Sequence, residues 1–408
     1  MSGTFRATGG ESWSSIARQT TGNDLDGDLI RRANPGVTDP IPPGTILQIP
    51  EQETPPEESL APGDTKIVVN GSEIGTVDGI EIGRSVDAIG KASFTVPNEP
   101  ETRRLFAPMA GAKVVISAGP TRITGRCESP SPQNSSDRKT LTISAYDTPG
   151  ILERVGPPIE KFPLEWTNSN LVTIANDLCF HHGIYCDFRA DAGPSFKRVD
   201  ISPGAVVLQF LSDLASQRGP VISSTPFGAL LVWEGVKPGR PVARLEKGQA
   251  GVVNVAVSID EDRYYSSVTG TVPARTKRGG RKDKGAGVKF TVRNPHSNDQ
   301  VRPYNAEFED IDPGELEPAV KTLAGRVFSG IFSVEIDLAR WTDDSGDIWQ
   351  ENTTLELKSP EDFIDDFYEF TIADVTLRQS SDGGRTAAIR CVFPGVYTGE
   401  IPEVLPWQ

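Results

Sequence analysis

The sequence predicts a mainly β protein with α+β parts, and three observations carry that prediction. Short runs of alternating apolar and polar residues recur along residues 66–155 and 246–400, with Asn-Gly, Pro-Asn and Gly-Pro turn signals between them. Glycine (40) and proline (33) are frequent and spread along the chain, which is typical of a loop-rich β protein. Helical patterns are confined to a few short segments. At 408 residues the chain is long enough for about three domains.

Composition and charge exclude several classes of function. The chain has a formal net charge of −15 at pH 7, which disfavours a general nucleic-acid-gripping role because like charges repel. No apolar run approaches the length of a membrane span, and the N-terminus MSGTFRATGG lacks the basic-then-apolar pattern of a secretion signal. We therefore expect that the chain does not insert into membranes. We also expect that it is made in the cytosol, or leaves the cell by a route other than the signal-peptide pathway.

Residues 4–50 show a compact βααβ pattern. A short strand at FRAT is followed by two helical patterns, SWSSIARQ and DGDLIRRAN, and then by a Pro-Gly turn and the strand ILQIP. The residues that match a known module are Gly10, Ser12, Ile16, Asn34, Pro43, Gly44 and Ile49. On these residues the segment resembles the LysM module, and we expect a LysM-like domain over residues 1–52. The resemblance implies binding of N-acetylglucosamine polymers or attachment to another protein.

Composition divides the rest of the chain into four parts. They are a Pro/Glu-rich linker at 53–65, a first β domain at 66–155, an α+β domain at 156–245 and a second β domain at 246–408. In the α+β part, Asn168 or Ser169 is the expected N-cap of one helix, and Ser202 with Pro203 the expected start of another. In the last part the patterns predict a helix near Pro313 to Phe328 and strands around 331–338, 354–358, 367–378 and 386–393.

A basic, glycine-rich run stands out on this acidic chain and is predicted to be a loop at 274–293. Its cationic residues are Arg275, Lys277, Arg278, Arg281, Lys282 and Lys284. Two interpretations stay open. The run is a solvated loop, or it is a cationic arm that lies on an acidic neighbour or on DNA. Because no aromatic residues interleave to stack bases, any contact with DNA would be blind to sequence.

The stretch WTDDSGDIWQENT, Trp341 to Thr353, places two tryptophans around a turn rich in acids. An EF-hand loop needs Gly at its sixth position, and counting from Asp343 places Ile348 there, so a calcium loop is not predicted. The stretch connects two predicted strands. We therefore expect packing or interface residues here, with no catalytic role, at Trp341, Gly346, Trp349 and Asn352.

The sequence shows no catalytic or metal-binding constellation. It contains three histidines, and no G-x-S-x-G, Walker or G-x-G-x-x-G motif occurs in the required context. Cys179 and Cys186 enclose His181 and His182, but their spacing fits no common structural zinc site, and a helix end is the preferred interpretation. We predict no enzyme activity, no metal and no cofactor.

A series of motifs along residues 66–400 occurs in the order of one known family. They are Gly79-Ile80, Gly83-Arg84-Ser85, Ala92-Ser93-Phe94, Gly125, Asp147, Phe162-Pro163-Leu164, Trp166, Leu171, Ile174-Ala175, Leu178, Leu211, Leu214-Ala215, Gln217-Arg218-Gly219, Phe227-Gly228-Ala229-Leu230, Val301-Arg302-Pro303, Gly325-Arg326, Trp341, Gly346-Asp347-Ile348-Trp349 and Asn352. On these residues the chain resembles the hub proteins of contractile-tail baseplates, the late-control D family that includes the Mu-like phage hub. The resemblance implies two tube-type β-barrel domains that flank an α+β domain.

The resemblance also implies a function. It implies a structural hub, a homotrimer with a central channel that joins the hexameric tail tube to the trimeric central spike. Implied partners are the tail tube or tube-initiator protein, the spike protein, the tape measure protein and a baseplate wedge protein, the last through the LysM-like domain. DNA would pass through the channel without specific binding. The implied location is the virion tail baseplate, with assembly in the host cytoplasm. The alternative is a LysM-anchored tail protein that binds or degrades peptidoglycan.

Overall fold

The computed structural model describes most of the chain. It covers residues 64–408 apart from 110, 136–138, 192, 236–238, 273–286, 298–299, 309–312 and 381–382, and, before them, residues 3–6, 13, 31, 34, 37, 41 and 45–49. The chain divides into two compact units, Met1–Ser59 and Leu60–Gln408.

The N-terminal unit contains an antiparallel pair of strands, β1 (Gly3–Arg6) and β2 (Ile46–Ile49). Trp13, Ile41 and Leu47 are buried, and so is Asn34. Five residues on which the LysM resemblance rests lie outside the described residues: Gly10, Ser12, Ile16, Pro43 and Gly44. Of Ile49 only the backbone is described. The LysM-like domain therefore stays a prediction.

The first β region contains eight strands and one short helix. They are β3 (Thr65–Val69), β4 (Ser72–Glu73), β5 (Gly79–Ser85), β6 (Lys91–Pro97), α1 (Pro100–Leu105), β7 (Lys113–Ala118), β8 (Thr121–Cys127), β9 (Ser131–Asn134) and β10 (Lys139–Asp147). Alternation decides which face is buried: Ala92, Phe94 and Val96 of β6 point into the core while their neighbours do not. The predicted Asn70-Gly71 turn joins β3 to β4, and both of its residues have positive φ, as a two-residue hairpin turn requires.

The α+β region follows. Its elements are β11 (Glu165–Ser169), α2 (Leu171–His181), β12 (Cys186–Arg189), β13 (Phe196–Asp200), α3 (Val207–Ser216), β14 (Val221–Ser224) and β15 (Leu230–Trp233). The predicted helix starts were wrong by one or two residues for α2 and by a few for α3. Asn170, not Asn168 or Ser169, caps α2, because its side chain accepts a hydrogen bond from the Thr173 amide at 3.0 Å.

The second β region contains the remaining elements. They are β16 (Arg244–Glu246), β17 (Val252–Ile259), β18 (Ser267–Val272), β19 (Val288–Arg293), β20 (Pro303–Glu307), α4 (Leu316–Ser329), β21 (Phe332–Leu338), β22 (Thr354–Ser359), β23 (Ile364–Ser380), β24 (Gly384–Val392) and α5 (Gly395–Thr398). Strands β18, β19 and β20 form a separate small sheet that packs on α4 around its own core.

The end of the predicted basic loop is a strand. Its last six residues form β19, because Phe290 and Val292 alternate with polar residues and pack with the α4 core. The six cationic residues named for this loop lie outside the described residues: Arg275, Lys277, Arg278, Arg281, Lys282 and Lys284.

A single large sheet runs through both β regions. Its path is β17-β21-β24-β23-β5-β6-β10-β8-β7-β3-β4, with β22, β16 and β9 attached beside it. One continuous apolar core lies under this sheet. The mainly β prediction is confirmed. The expected pair of tube-type barrels is not, since no closed barrel is found within the part of the chain that the structure describes.

Candidate assembly site at the junction of the β regions

The two β regions are joined edge to edge by β5 and β23. Residues 374–380 of β23 pair antiparallel with residues 79–85 of β5, from Asp374 opposite Ser85 to Ser380 opposite Gly79. On the solvent face of this seam Arg378 and Glu81 are directly opposed, and Arg378 Nε lies 3.1 Å from Glu81 Oε2. The seam joins two six-stranded halves into one surface by main-chain pairing.

The two halves repeat the same arrangement of strands. The first has the sheet order β5-β6-β10-β8-β7-β3, and the second β17-β21-β24-β23-β22-β16. Counterparts also occur in the same order along the chain, so β5 corresponds to β17, β10 to β24, and β8 with β9 to the long strand β23. The halves differ in their last pair, which is antiparallel between β3 and β7 and parallel between β16 and β22.

A buried ionic cluster lies behind the seam, where all three regions of the larger unit meet. Arg84 Nη1 lies 2.6 Å from Asp147 Oδ2, and the two side chains are 4% and 0% exposed. Ser224 Oγ from β14 donates to the same carboxylate at 2.6 Å, and Arg84 Nη2 donates to the Ser224 carbonyl. From the second β region, Glu351 Oε1 lies 3.2 Å from Arg84 Nε. The cluster therefore ties three regions through one guanidinium.

Asp147 is saturated with donors. Its Oδ1 accepts from the Thr124 amide at 2.7 Å, and its Oδ2 is held by Arg84 and Ser224. Burial raises the pKa of Asp147 to about 6, although Arg84 and the hydrogen bonds from Ser224 and Thr124 act in the lowering direction. With every oxygen engaged inside the protein, this carboxylate is suited to holding the regions together and has no open position for a substrate.

The first two acids of the Trp341–Thr353 stretch are hydrogen-bonded within the protein. Asp343 Oδ1 accepts from the amides of Ser345 and Asp347 at 2.8 and 3.0 Å, and the Asp343 amide donates to the Asp347 carbonyl. Asp344 accepts from the Arg244 amide and is paired with Arg340. Local side-chain-to-backbone bonding of this kind is an ordinary use of Asp in turns.

The apolar residues of this stretch are buried. Trp341 and Trp349 are 3% and 1% exposed, and Trp341 Nε1 donates to the carbonyls of Arg378 and Thr386 at the end of β23 and β24. Asn352 has a φ of 66° and its amide donates to the Ile372 carbonyl. Gly346 adopts a positive φ of 88° in this turn.

Between the tryptophans, Ile348 reaches the first β region. A Cβ added at Gly119, in the turn between β7 and β8, would lie 2.6 Å from the Ile348 Cδ1 atom. Gly119 also has a φ of 57°, which disfavours any side chain there. The stretch therefore lies across both β regions, and we name residues 341–353 the latch.

The structure brings the latch residues together. The other predicted site residues lie outside the described residues, except Asn34 and the backbone of Ile49 in the N-terminal unit. Arg84 and Asp147 belong to the motif series in the sequence, but no sequence feature indicated that they pair, and none pointed to Ser224 or Glu351. A signal for Arg84 was present: it follows Ile80 and Ile82 at the inward positions of β5, where a charge needs a buried partner. The partners could not be found from spacing, because they come from distant segments.

The Cys179–Cys186 segment shows no metal site. Both thiols are free and buried, and the rings of His181 and His182 are at right angles with centroids 5.1 Å apart. Among the described residues, no group of three or more His, Cys, Asp or Glu side chains could hold a metal ion.

Comparison with known proteins relates one segment to a family model and most of the chain to a known fold. Residues 159–234 match the family model described as the second domain of gp44-like baseplate hub proteins. No curated protein matches the chain. The 43 kDa tail protein of prophage MuSo2 from Shewanella oneidensis is similar with a TM-score of 0.66 at 22% identity, over 82% of this chain and 99% of that one.

Two further solved structures share the fold. The tail protein from Neisseria meningitidis MC58 has a TM-score of 0.67 at 19% identity, covering 82% of this chain and 98% of its own. Prophage tail protein gp18 from Listeria monocytogenes EGD-e has a TM-score of 0.53 at 9% identity, over 81% and 94%. Baseplate hub and tail proteins are components of virions, and the predicted virion localisation is confirmed by these matches. Within the described residues, no helix has both the length and the apolar character needed to cross a membrane.

Proposed function

We propose that this chain is the structural subunit of a trimeric baseplate hub that joins the hexameric tail tube to the trimeric central spike. The observation that carries the proposal is the repeat of one strand arrangement in two halves, joined by main-chain pairing between β5 and β23. Three copies of such a chain supply six similar β regions, which is what a trimer needs to match a sixfold tube. The hub-type segment at 159–234 and the tail-protein fold support the same assignment.

The solvent face of the large sheet is the proposed channel wall. Strand pairing places small polar side chains along this face, among them Ser93, Thr95, Thr142, Ser144 and Thr376. The opposite face carries the apolar core. A broad sheet face of this kind has little apolar surface to bind a passing polymer.

Cationic side chains on the same face are paired with carboxylates, which disfavours tight contact with DNA. Arg378 is paired with Glu81, and Arg390 with Asp374 across β23 and β24. Lys91 Nζ lies 3.2 Å from Glu153 Oε2. Cations that are already neutralised contribute less to the phosphate contacts that dominate nucleic-acid affinity, so DNA would slide past them.

The remaining partners follow from this assignment. The ring would contact the tube or tube-initiator protein on one side and the spike on the other, with the tape measure protein in or above the channel. The N-terminal unit would attach a baseplate wedge protein. The hub would be non-enzymatic, in agreement with the internal hydrogen bonds to both carboxylate oxygens of Asp147 and to Oδ1 of Asp343. A pull-down of the full chain on purified cell wall distinguishes wedge attachment from peptidoglycan binding, since only the second would retain the protein.

Size-exclusion chromatography with light scattering tests the proposal. The expected mass is three times the 44.0 kDa of one chain. A chain that stays monomeric at every concentration tested would reject the trimeric hub.

A further inference from the structure

Strand β17 is an open edge of the large sheet. Among the described residues its strand neighbour is β21 alone. The Asp260 amide donates to the Ile331 carbonyl at 2.8 Å, so the alternation of antiparallel bonding turns the N–H and C=O groups of Val255, Val257 and Ile259 outward. Ile259 is 44% exposed at the end of this edge. An open edge that carries exposed apolar residues is a template for pairing with another strand.

Strand β9 is a second open edge. Its four residues, Ser131–Asn134, are all exposed, and within the described part of the chain they pair with β10 alone. Under the correspondence of the two halves, β9 holds the place of the β23 segment that pairs with β5. Strand β17 holds the place of β5 itself.

The correspondence can be drawn residue by residue when the break between β8 and β9 is matched to the bulge of β23 between Ile372 and Asp374. The two equivalent rows across three strands are Ile80–Phe94–Ile143 and Val255–Ile336–Ile389. One residue before Ile143 in β10, Thr142 pairs with Ser131 of β9. One residue before Ile389 in β24, Ala388 pairs with Thr376 of β23. Val255 is therefore the counterpart of Ile80, and Ser131 the counterpart of Thr376.

We propose that β17 of one copy pairs antiparallel with β9 of a second copy, repeating between subunits the β23–β5 seam found within each chain. This inference rests on the proposed trimeric hub and names the surface that closes it. Because Thr376 lies opposite Gly83 and Arg378 opposite Glu81 in the seam, Ser131 lies opposite Ser258, and Gln133 opposite Ala256, of the second copy. Eight strands from each of three chains then form one closed cylinder, which leaves no free edge in the ring.

Two features of the edges fit this pairing. The outward groups of Val255, Val257 and Ile259 correspond to those of Ile80, Ile82 and Arg84, which face β23 because the Val86 amide donates to the Ala373 carbonyl. Ile259 also takes the place of Arg84, which is 4% exposed behind the seam, so pairing would cover it. Against these, Pro132 has no N–H, so the Val257 carbonyl opposite it gains no partner and the proposed pairing has one hydrogen bond fewer there than the β23–β5 seam.

A disulfide cross-link between the two edges tests the register in the full-length chain. Gln133 and Ala256 are both exposed and would form a pair without mutual hydrogen bonds. Such pairs have Cα atoms about 4.5 Å apart, inside the roughly 4.4–6.8 Å range of disulfides. Gln133→Cys combined with Ala256→Cys should give covalent trimers on oxidation. A mixture of the two single variants should give covalent dimers and nothing larger.

The matched control is Gln133→Cys combined with Asn254→Cys, which shifts one cysteine by two residues on the same face. It should cross-link at least tenfold more slowly. A chain that light scattering shows to be trimeric, but that cross-links equally in both double variants or in neither, would overturn the proposed pairing and leave the trimeric hub standing. A monomeric chain would overturn the hub and the pairing together.

Discussion

Replacing Arg84 with methionine should destabilise the larger unit more than any comparable change at an exposed ion pair. The variant leaves the carboxylate of Asp147, which is 0% exposed, without its cation at 2.6 Å. Removing one partner of a buried ion pair costs about 3–5 kcal/mol. Since the donors from Ser224 and Thr124 remain, we expect the lower end of that range. Denaturant unfolding at pH 8, followed by tryptophan fluorescence, measures the change.

The control is Arg378→Met, which removes an ion pair whose two side chains are about half exposed. Exposed pairs contribute at most about 1 kcal/mol. Adding Asp147→Asn to Arg84→Met should recover part of the loss, because the uncompensated charge disappears. If Arg84→Met cost no more than Arg378→Met, the account of the junction would be wrong.

The same variant has a predicted pH dependence. Burial raises the pKa of Asp147 from 3.8 to about 6, so the native state binds a proton before the unfolded state as the pH falls. This group therefore favours the native state increasingly between about pH 6 and pH 4, and that contribution is lost as the pH rises through 6. Arg84 lowers this pKa, and its removal raises the pKa further. The stability gap between Arg84→Met and wild type should narrow from pH 8 to pH 5.

Three other variants test the latch and the channel wall. Trp349→Ala should lower the free energy of unfolding by about 3–5 kcal/mol, because it empties a site that is 1% exposed, and calorimetry measures it. Gly119→Ala should also destabilise, since the new methyl meets Ile348 at 2.6 Å, whereas Gly183→Ala, which has a similar φ of 69° but meets nothing within 4 Å, should cost less. Glu81→Gln with Asp374→Asn should create DNA binding that weakens steeply with salt, measured by fluorescence anisotropy, because two arginines lose their partners.

Each of these has an outcome that contradicts it. Normal stability and trimer formation by Trp349→Ala would remove the latch from the assembly account. Equal stability of the two glycine variants would mean that Ile348 does not rest on Gly119. For DNA binding the matched control is Glu165→Gln with Asp262→Asn, which frees Arg198 and Arg302 elsewhere on the surface. Equal gains in both double variants would show a general charge effect and no role for the sheet face.

Local patterns predicted the elements but not the seam between the halves. Alternation located the strands, and helical spacing located α2, where Leu171, Ile174, Ala175 and Leu178 are buried on one face. Pairing between β5 and β23 joins segments almost 300 residues apart. No local pattern specifies such a partner, because both strands look like ordinary half-buried strands.

The candidate site could also be predicted only in part, because its contacts join segments that are distant in the sequence. The spacing of the latch acids excluded a calcium loop, and the structure shows Asp343 hydrogen-bonded within a closed turn. The contact of Ile348 with Gly119 and the meeting of Arg84, Asp147, Ser224 and Glu351 depend on the tertiary fold alone. The last six residues of the predicted basic loop became β19, since the apolar alternation of Phe290 and Val292 outweighed the nearby glycines and charges.

Electron microscopy of the purified chain tests the central claim most directly. The account predicts end-on views of a closed ring with six similar lobes around a central channel, built from three chains. Single particles of one chain, or open assemblies without a threefold axis, would contradict it.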